Sequence, residues 1–319
     1  MNQLSRNTFQ SAVQLDFAFA AAVIDGLSRE RKTLPCRYFY DARGSELFEE
    51  ITQLPEYYPT RTEIEILRRH ASEMVKAVGN GAVLVEFGSG SSRKTEILLE
   101  TLPVLTAYMP IDVSESALDE AAQRLRLKFP FLRAYPVVGN FSDSVEYPAE
   151  LEDCEKLGFF PGSTIGNMNE PDAVRLLGDM RRSLSGGRLI VGIDLRKDPQ
   201  ILIPAYDDAA GVTAAFNLNL LVRINRELGG SFDVGSFAHR AIYNQAEGRI
   251  EMHLVSERAQ TARILGHAFK FARGETIHTE NSYKYSVEGF RALCRQAGWT
   301  PRRVWLDDNR LFSVHELVD

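Results

Sequence analysis

A short apolar run followed by a Gly-x-Gly turn limits what this chain can fold into. The run is Val83–Phe87, with Glu86 as its charged residue, and Gly88–Gly90 form the turn. A continuous apolar run of this length predicts a strand buried on both faces, as in a parallel sheet. The glycines let the backbone turn sharply and approach a ligand closely. The stretch therefore predicts a strand-to-helix turn that receives a nucleotide-like cofactor.

Strands and helices alternate around this turn, over residues 81–195. Helical segments are predicted from Lys94, after a cap at Ser114, and over Glu170–Leu184. Further strands are predicted at or within the apolar runs Ala107–Ile111, Ala134–Val138, Leu157–Ile165 and Arg188–Ile193. This alternation predicts a parallel, doubly wound sheet.

The C-terminal segment predicts how the sheet ends. Ser286–Ala297 has one apolar helical face, and the runs Thr300–Trp305 and Arg310–Leu317 predict an antiparallel hairpin. A parallel sheet finished by a hairpin is the layout of Rossmann-like class I methyltransferases.

The alternation is interrupted by about ninety residues, too many for a connection inside a compact domain. These residues predict a helix at Asp207–Glu227, a hairpin within Ala241–Ser256, and further strands at Ile264–Ala272 and Thr276–Tyr285. We therefore predict an α/β fold: a Rossmann-like class I methyltransferase sheet with an inserted α+β substrate-binding domain. The N-terminal residues precede the first sheet strand and are assigned to the insertion. The expected domains are 61–196 plus 286–319 for the cofactor, and 1–60 plus 197–285 for the substrate.

Composition narrows the classes of function. The 319 residues carry a formal net charge of −6, so no basic surface indicates a nucleic-acid partner. No apolar run is long enough to span a bilayer, and the N-terminus lacks a signal-peptide pattern. Cys36, Cys154 and Cys294 form neither a metal motif nor a disulfide framework, and the histidines lack metal-ligand spacing. We expect a cytoplasmic location and no metal.

Three cofactors compete for the glycine turn. A dinucleotide fingerprint needs a third small residue where this chain has Arg93. The same arginine replaces a required glycine in the phosphate-loop pattern, although Lys94 and Thr95 follow it. S-adenosylmethionine (SAM) has no phosphates, so its turn needs fewer glycines. Both phosphate-binding alternatives are therefore disfavoured.

The second and third strands supply the residues that SAM requires. Asp112 ends the second strand, where an acidic side chain holds ribose hydroxyls. Asn140 and Phe141 follow the third strand, where a polar residue meets the adenine. The pattern favours SAM; the alternative is a glycine-rich turn with a chance aspartate.

Several blocks outside the cofactor pattern carry a more specific resemblance. They are Arg37–Phe48, Leu54–Arg61, Gly162–Asn167 and Ala205–Thr213. Together they resemble the SAM-dependent L-histidine Nα-methyltransferase family of ergothioneine biosynthesis, from about Arg37 to the C-terminus. The resemblance implies trimethylation of the α-amino group of histidine to hercynine (histidine betaine). It also implies a monomeric protein with a small-molecule substrate.

The resemblance also implies a set of cofactor contacts. The matching positions are Tyr40, Gly88, Lys94, Asp112, Asn140 and Phe141. Asn140 departs from the aspartate of the family, but an asparagine can still meet the adenine amine.

The substrate contacts implied by the resemblance come from the other segments. Asn167 and Tyr206 match residues that hold the amine and carboxylate of the amino acid, and Gly162 backs that site. The side chains implied around the imidazole are Tyr57, Met252, Glu280 and Ser282. Strand periodicity independently places Glu280 and Ser282 on one face, together with Lys284. A carboxylate and a hydroxyl can satisfy both imidazole nitrogens, and an analogue without them would leave the carboxylate unpaired.

Methyl transfer to an amine requires a lone pair on nitrogen, so a proton must leave before each transfer. No strong base is obvious in the sequence. Tyr40 and Asn167 are the expected catalytic residues, because they would orient the amine and could pass protons to water. An aromatic wall of Tyr40 or Tyr57 could accommodate the quaternary ammonium product.

Pattern alone also permits structural roles for these residues. Tyr57 could pack a domain interface, Asn167 could cap the following helix, and Met252 could fill the core. Glu280 and Lys284 could form an exposed ion pair that contributes little.

Three other functions stay open at this point. The same chemistry could act on another amino acid such as tryptophan, although a carboxylate at Glu280 would be costly to bury against an indole. A non-catalytic SAM-sensing module would not need Asn167 or Tyr206. An NTP-dependent enzyme would require Lys94 and Thr95 on phosphates.

Overall fold

A computed structural model describes residues 16–90, 92–102, 105–139 and 145–319. Its helices are α1 (Phe17–Ser28), α2 (Ala42–Thr52), α3 (Tyr58–Met74), α4 (Arg93–Leu99), α5 (Glu115–Lys128), α6 (Glu170–Leu184), α7 (Pro199–Leu202), α8 (Val212–Leu228) and α9 (Val287–Gln296). Its strands are β1 (Lys32–Thr33), β2 (Val83–Phe87), β3 (Ala107–Asp112), β4 (Val137–Val138), β5 (Lys156–Phe160), β6 (Arg188–Asp194), β7 (Phe237–Asn244), β8 (Arg249–Ser256), β9 (Gln260–Ile264), β10 (His267–Phe271), β11 (Thr276–Tyr283), β12 (Thr300–Leu306) and β13 (Phe312–Val318).

Seven of these strands form the large sheet, in the order β12-β13-β6-β5-β2-β3-β4. The pairs from β6 to β4 are parallel, and β13 joins β6 antiparallel as the second strand of the C-terminal hairpin. From β2 the chain first builds toward β3 and β4, and then returns to add β5 and β6 on the other side. This reversal opens a crevice at the carboxyl ends of the strands. The predicted Rossmann-like α/β fold is confirmed.

The sheet is covered on both faces, which explains the continuous apolar run of β2. Val83, Val85 and Phe87 belong to one hydrophobic core with residues of α6 and α9. Leu84 belongs to a second core with residues of α3, α4 and α5. The predicted third strand is shorter than expected: β4 has two residues, and Ala134 makes only an isolated bridge to Tyr108.

The smaller sheet has the order β1-β11-β8-β7 and packs against α8. One hydrophobic core joins buried residues between Phe19 and Tyr58 with buried residues between Leu202 and Ile277. The N-terminal segment thus packs with the segment that interrupts the large sheet. Strand β1 also pairs parallel to β11.

Two predicted elements of this region are wrong in detail. The single strand expected at Ile264–Ala272 is the hairpin β9–β10, because the chain reverses at Leu265 and Gly266, both with positive φ (47° and 84°). The helix expected from Asp207 begins at Val212, because the carboxylate of Asp208 accepts hydrogen bonds from the first helical amides. Among the described helices, none is long and apolar enough to cross a membrane.

Candidate active site

The glycine turn is tied to the end of the neighbouring strand. Gly88 has a φ of 73°, and its N–H donates to the carbonyl of Ile111 at 2.9 Å. The N–H of Gly90 donates to Oδ2 of Asp112 at 2.8 Å, while Oδ1 accepts from Ser114 at 3.0 Å. Two of the expected cofactor residues, Gly88 and Asp112, therefore lie together at the crevice.

A buried carboxylate, Glu63, joins two further predicted residues. Its Oε2 lies 2.6 Å from Nζ of Lys94, and both of its oxygens accept from the N–H of Gly162, at 3.1 and 2.9 Å. A Cβ at Gly162 would lie 3.4 Å from that ammonium. The sequence analysis missed Glu63, because a glutamate within an amphipathic helix normally faces solvent.

The same geometry contradicts the phosphate-loop alternative. Lys94 is paired with Glu63, and Thr95 is fully buried. Neither side chain is presented to a nucleotide phosphate as that loop requires.

Glu86 lies behind the turn rather than in it. Its carboxyl group is buried and hydrogen-bonds to the hydroxyl of Tyr108. Burial raises the pKa of Glu86 to about 7. The glutamate of the turn motif is therefore an interior group of the sheet.

Tyr40 lies near residues predicted to bind the cofactor and residues predicted to bind the substrate. Its ring meets Phe48 and Phe216, with centroids 5.6 and 5.7 Å away. Burial raises the pKa of the Tyr40 hydroxyl well above its usual value, and the charges of Glu280 and Asp112 add to that rise. The phenol therefore stays protonated at neutral pH.

Two more tyrosines form an aromatic wall beside Tyr40. The rings of Tyr57 and Tyr206 are nearly buried, and their centroids lie 6.2 Å apart. Tyr57 also meets Phe48 edge-on at 6.3 Å. Burial raises the pKa of both tyrosines, and the nearby Glu280 charge contributes to each rise.

Strand β11 carries the residues predicted to read the imidazole. A bulge follows His278, and Glu280 then lies opposite Met252 of β8. Burial raises the pKa of Glu280 to about 7, against the opposing effect of Lys284. Cys36, which the sequence analysis left out of the site, lies near this carboxylate: burial and then the Glu280 charge raise its pKa to about 12.

The structure contradicts the interpretation, permitted by the sequence pattern alone, that Glu280 and Lys284 form an exposed ion pair. The side chain of Lys284 is fully buried, and its Nζ lies 2.8 Å from Oδ2 of Asp194. Asp194 also contacts Nζ of Lys197 at 2.5 Å and accepts from the Tyr58 hydroxyl at 2.8 Å. This buried charge network lies beyond what local pattern could predict.

Asn167 ends the 3₁₀ turn Thr164–Asn167, which follows β5. The cap of α6 is Asn169, whose side chain accepts from the N–H of Asp172 at 2.9 Å. The capping role considered for Asn167 is therefore wrong. A Cβ on Gly166 would lie 2.8 Å from the carbonyl of Tyr283, so this turn packs against β11. The turn that carries Asn167 therefore lies beside the strand that carries Glu280 and Ser282. Asn140 and Phe141 lie outside the described residues.

A second polar cluster forms on β8 and β11. Glu251, His253 and His278 place one possible ligand atom each within 4.8 Å of one another, which their spacing in the sequence did not suggest. The two imidazole rings are stacked, however, with an angle of 24° between their planes. Lone pairs of stacked rings do not converge on one point, so we assign no metal ligand there.

Comparisons with known proteins identify the family to which the chain is similar. Residues 19–319 match the family model of the histidine-specific, SAM-dependent methyltransferases. A histidine N-alpha-methyltransferase of Mycolicibacterium smegmatis is 41% identical over 288 residues, or 88% of this chain and 89% of that protein. Ergothioneine biosynthesis protein 1 of Neurospora crassa is 30% identical over 90% of this chain and 33% of that protein. A 4-dimethylallyltryptophan N-methyltransferase of Penicillium roqueforti is 29% identical over 92% of each chain.

Proposed function

Because the chain belongs to the family of histidine-specific, SAM-dependent methyltransferases, we propose that its crevice holds SAM and L-histidine on either side of Tyr40. The protein methylates histidine, a reaction of ergothioneine biosynthesis. The observation that carries the assignment of the site is the position of Tyr40, whose electrostatic neighbours include both Asp112 and Glu280. We further propose that methylation continues to hercynine, the trimethylated product.

The residues at the glycine turn fit SAM. The hydroxyl of Ser89 is buried and has no hydrogen-bond partner within the described part of the chain. A Cβ on Gly90 would meet no atom of the described residues within 4 Å. In this proposal Gly88, Lys94 and Asp112 hold the cofactor with Tyr40, and Asn140 and Phe141 meet its adenine. SAM supplies an electrophilic methyl group when bound.

The substrate would be held at both of its ends. Asn167 and Tyr206 would hold the carboxylate and amine, with Gly162 behind them. Glu280 would accept from one imidazole nitrogen while Ser282 donates to the other, and Met252 and Tyr57 would flank the ring. An indole has one N–H donor and no acceptor nitrogen, so it would leave the Ser282 hydroxyl unpaired, which disfavours tryptophan as the substrate.

Tyr40 would orient the α-amine without acting as a strong base. Its raised pKa keeps the phenol protonated, so the oxygen accepts a hydrogen bond from the amine rather than removing a proton. With Asn167 it would direct the nitrogen lone pair at the methyl carbon and pass released protons to water. The aromatic faces of Tyr40 and Tyr57 would then face the quaternary ammonium product.

We also propose how the chain is divided into two domains. Residues 61–196 plus 286–319 form the cofactor domain, and residues 1–60 plus 197–285 form the substrate domain. We also infer a cytoplasmic location, which the free thiols of Cys36, Cys154 and Cys294 support. The monomeric state is inferred from the resemblance to the family.

Mass spectrometry after incubation with SAM and a mixture of the standard amino acids tests the function. We expect histidine alone to gain three methyl groups. Methylation of another amino acid would overturn the roles of Glu280 and Ser282. SAM binding without any methylation would favour the sensing module instead.

Glu280→Ala then tests the site. We expect kcat/KM for histidine to fall by roughly 10–100-fold, as for loss of a hydrogen bond to a charged group. Glu257→Gln is the matched control, because this carboxylate is exposed beyond the end of β8. Equal rates in the two variants would contradict the assignment of Glu280.

A further inference from the structure

Lys284 makes three polar contacts inside the protein. Its ammonium lies 2.8 Å from the hydroxyl of Tyr206, 2.7 Å from Oγ of Ser282 and 2.8 Å from Oδ2 of Asp194. An ammonium has three hydrogens and no acceptor, so these contacts use all of its donors. Lys284 must therefore donate to both hydroxyl oxygens.

The two hydroxyl groups also bond to each other, since their oxygens are 2.8 Å apart. One of them donates across this contact, which uses one of the two hydroxyl hydrogens. The remaining hydrogen cannot point at the ammonium and is free to meet another acceptor. In either arrangement it belongs to Tyr206 or Ser282, the two hydroxyls of the proposed substrate site.

The charge count around Asp194 is unbalanced. Lys197 and Lys284 both contact this carboxylate, so two ammonium groups share one buried anion. Removing Lys284 would leave a one-to-one pair between Lys197 and Asp194. A cation would therefore remain on Asp194 if Lys284 were removed.

The positive charge of Lys284 also acts on a second carboxylate, that of Glu280. The groups that face it from the other segments are Cys36, Tyr40, Tyr57 and Tyr206, and burial raises the pKa of each, so all stay neutral at neutral pH. Lys284 acts on Glu280 in the opposite sense, because its positive charge lowers the pKa of that carboxyl against the effect of burial. Lys284 thus favours the ionised form that accepts an imidazole N–H.

We propose that Lys284 is a positioning residue for histidine recognition, which leaves one hydrogen of the Tyr206–Ser282 hydroxyl pair to donate to the substrate and keeps Glu280 an acceptor. The inference rests on the proposed function of the site. Lys284 itself acts through these three side chains.

Lys284→Met tests the proposal in the full-length enzyme, with Lys197→Met as the matched control. The control removes an ammonium from the same carboxylate but none from the hydroxyl pair. We expect KM for histidine to rise about tenfold or more in Lys284→Met, with a smaller change in kcat. The low-pH limb of kcat/KM should move up by about 0.5–1 pH unit, because Glu280 loses a stabilising cation.

Lys197→Met should keep both the KM for histidine and the position of the low-pH limb of kcat/KM close to those of the wild type. Titration of free histidine is common to all variants and cancels in the comparison. Calorimetric binding of histidine in the presence of S-adenosylhomocysteine (SAH) gives a readout independent of turnover.

Lys284→Gln serves where Lys284→Met fails to fold, since its amide can still donate to a hydroxyl. It lacks the charge, so the limb should shift while KM rises less. An unchanged KM and an unchanged limb in either folded variant would overturn the inference. Failure of the wild type to methylate histidine would instead overturn the proposed function.

Discussion

At the residue scale, burial raises the pKa of two carboxyl groups to a similar value, but the two groups have different roles. Burial raises the pKa of both Glu86 and Glu280 to about 7. Glu86 forms a hydrogen bond with Tyr108 inside the large sheet, so its protonation state affects the stability of the fold. Glu280 faces the proposed imidazole site, so its titration acts on substrate binding. The sequence placed Glu86 in a buried strand, but only the neighbours in space separate these two roles.

Glu86→Gln should stabilise the protein more at pH 8 than at pH 5. The folded pKa lies above the unfolded one, so this carboxyl contributes stability that is fully present below about 4.5 and is lost as pH rises through about 7. The amide does not titrate, so its advantage over the wild type should grow by about 2 kcal/mol between these pH values. Urea denaturation at both pH values measures this. A constant difference in the free energy of unfolding would contradict the prediction, and the exposed Glu257→Gln is the control.

At the element scale, caps and glycines in the sequence marked the boundaries of several elements. The predicted limits of α6 and β2 match the structure, and the side chains of Ser114 and Ser286 cap α5 and α9. The β9–β10 hairpin was missed because its turn is Leu265-Gly266 instead of an Asn-Gly or Asp-Gly pair. A leucine gives no local sign of a left-handed backbone.

Leu265→Asn should therefore stabilise the hairpin. Leu265 has a φ of 47° and is 42% exposed, so its replacement removes strain without removing a core side chain. We expect the free energy of unfolding to rise by about 0.5–1 kcal/mol, since asparagine tolerates the left-handed region. Thermal denaturation measures the change. Leu265→Ala is the control, because it removes the same apolar surface and keeps the strain; an equal gain there would refute the argument.

Asn167 and Asn169 should separate activity from stability at the start of α6. Asn169→Ala removes the helix cap and should lower stability by about 1 kcal/mol with little change in turnover. Asn167→Ala should lower kcat/KM roughly 10–100-fold with little change in stability, because it would lose a hydrogen bond to a charged substrate group. Paired measurements of denaturation and kinetics test this. The opposite assignment of the two effects would show that Asn167 is structural.

At the scale of the whole molecule, the proposed site draws residues from both sheets. Asp112 ends a strand of the large sheet, Glu280 belongs to the small sheet, and Tyr40 packs on Phe216 of the core beneath the small sheet. In our proposal, a ligand held by one sheet would therefore meet side chains anchored in the other. This arrangement predicts that the two ligands assist each other's binding.

Histidine should bind at least about fivefold more tightly to the protein saturated with SAH than to the free protein. The reason is that a bound cofactor would restrain Tyr40, which contacts both sites in our proposal. Isothermal titration calorimetry with and without SAH measures the coupling. Tyr40→Phe keeps the ring packing and should reduce the coupling. The same dissociation constant with and without SAH would contradict the prediction.

Sequence by itself determined the class of fold, the cofactor turn and the alternation that brings Glu280 and Ser282 to one face of β11, with Lys284 just beyond its end. These properties depend on residues close together in the chain, such as apolar runs, caps and glycines. Tertiary structure alone decided how the buried charges are paired. Glu63 and Gly162 are 99 positions apart, Tyr58 and Asp194 are 136 apart, and Lys284 and Tyr206 are 78 apart. From the local sequence pattern alone, charged side chains such as Glu63, Asp194 and Lys284 are expected at the surface. Their burial is tolerated because the complete fold brings their charge and hydrogen-bond partners together.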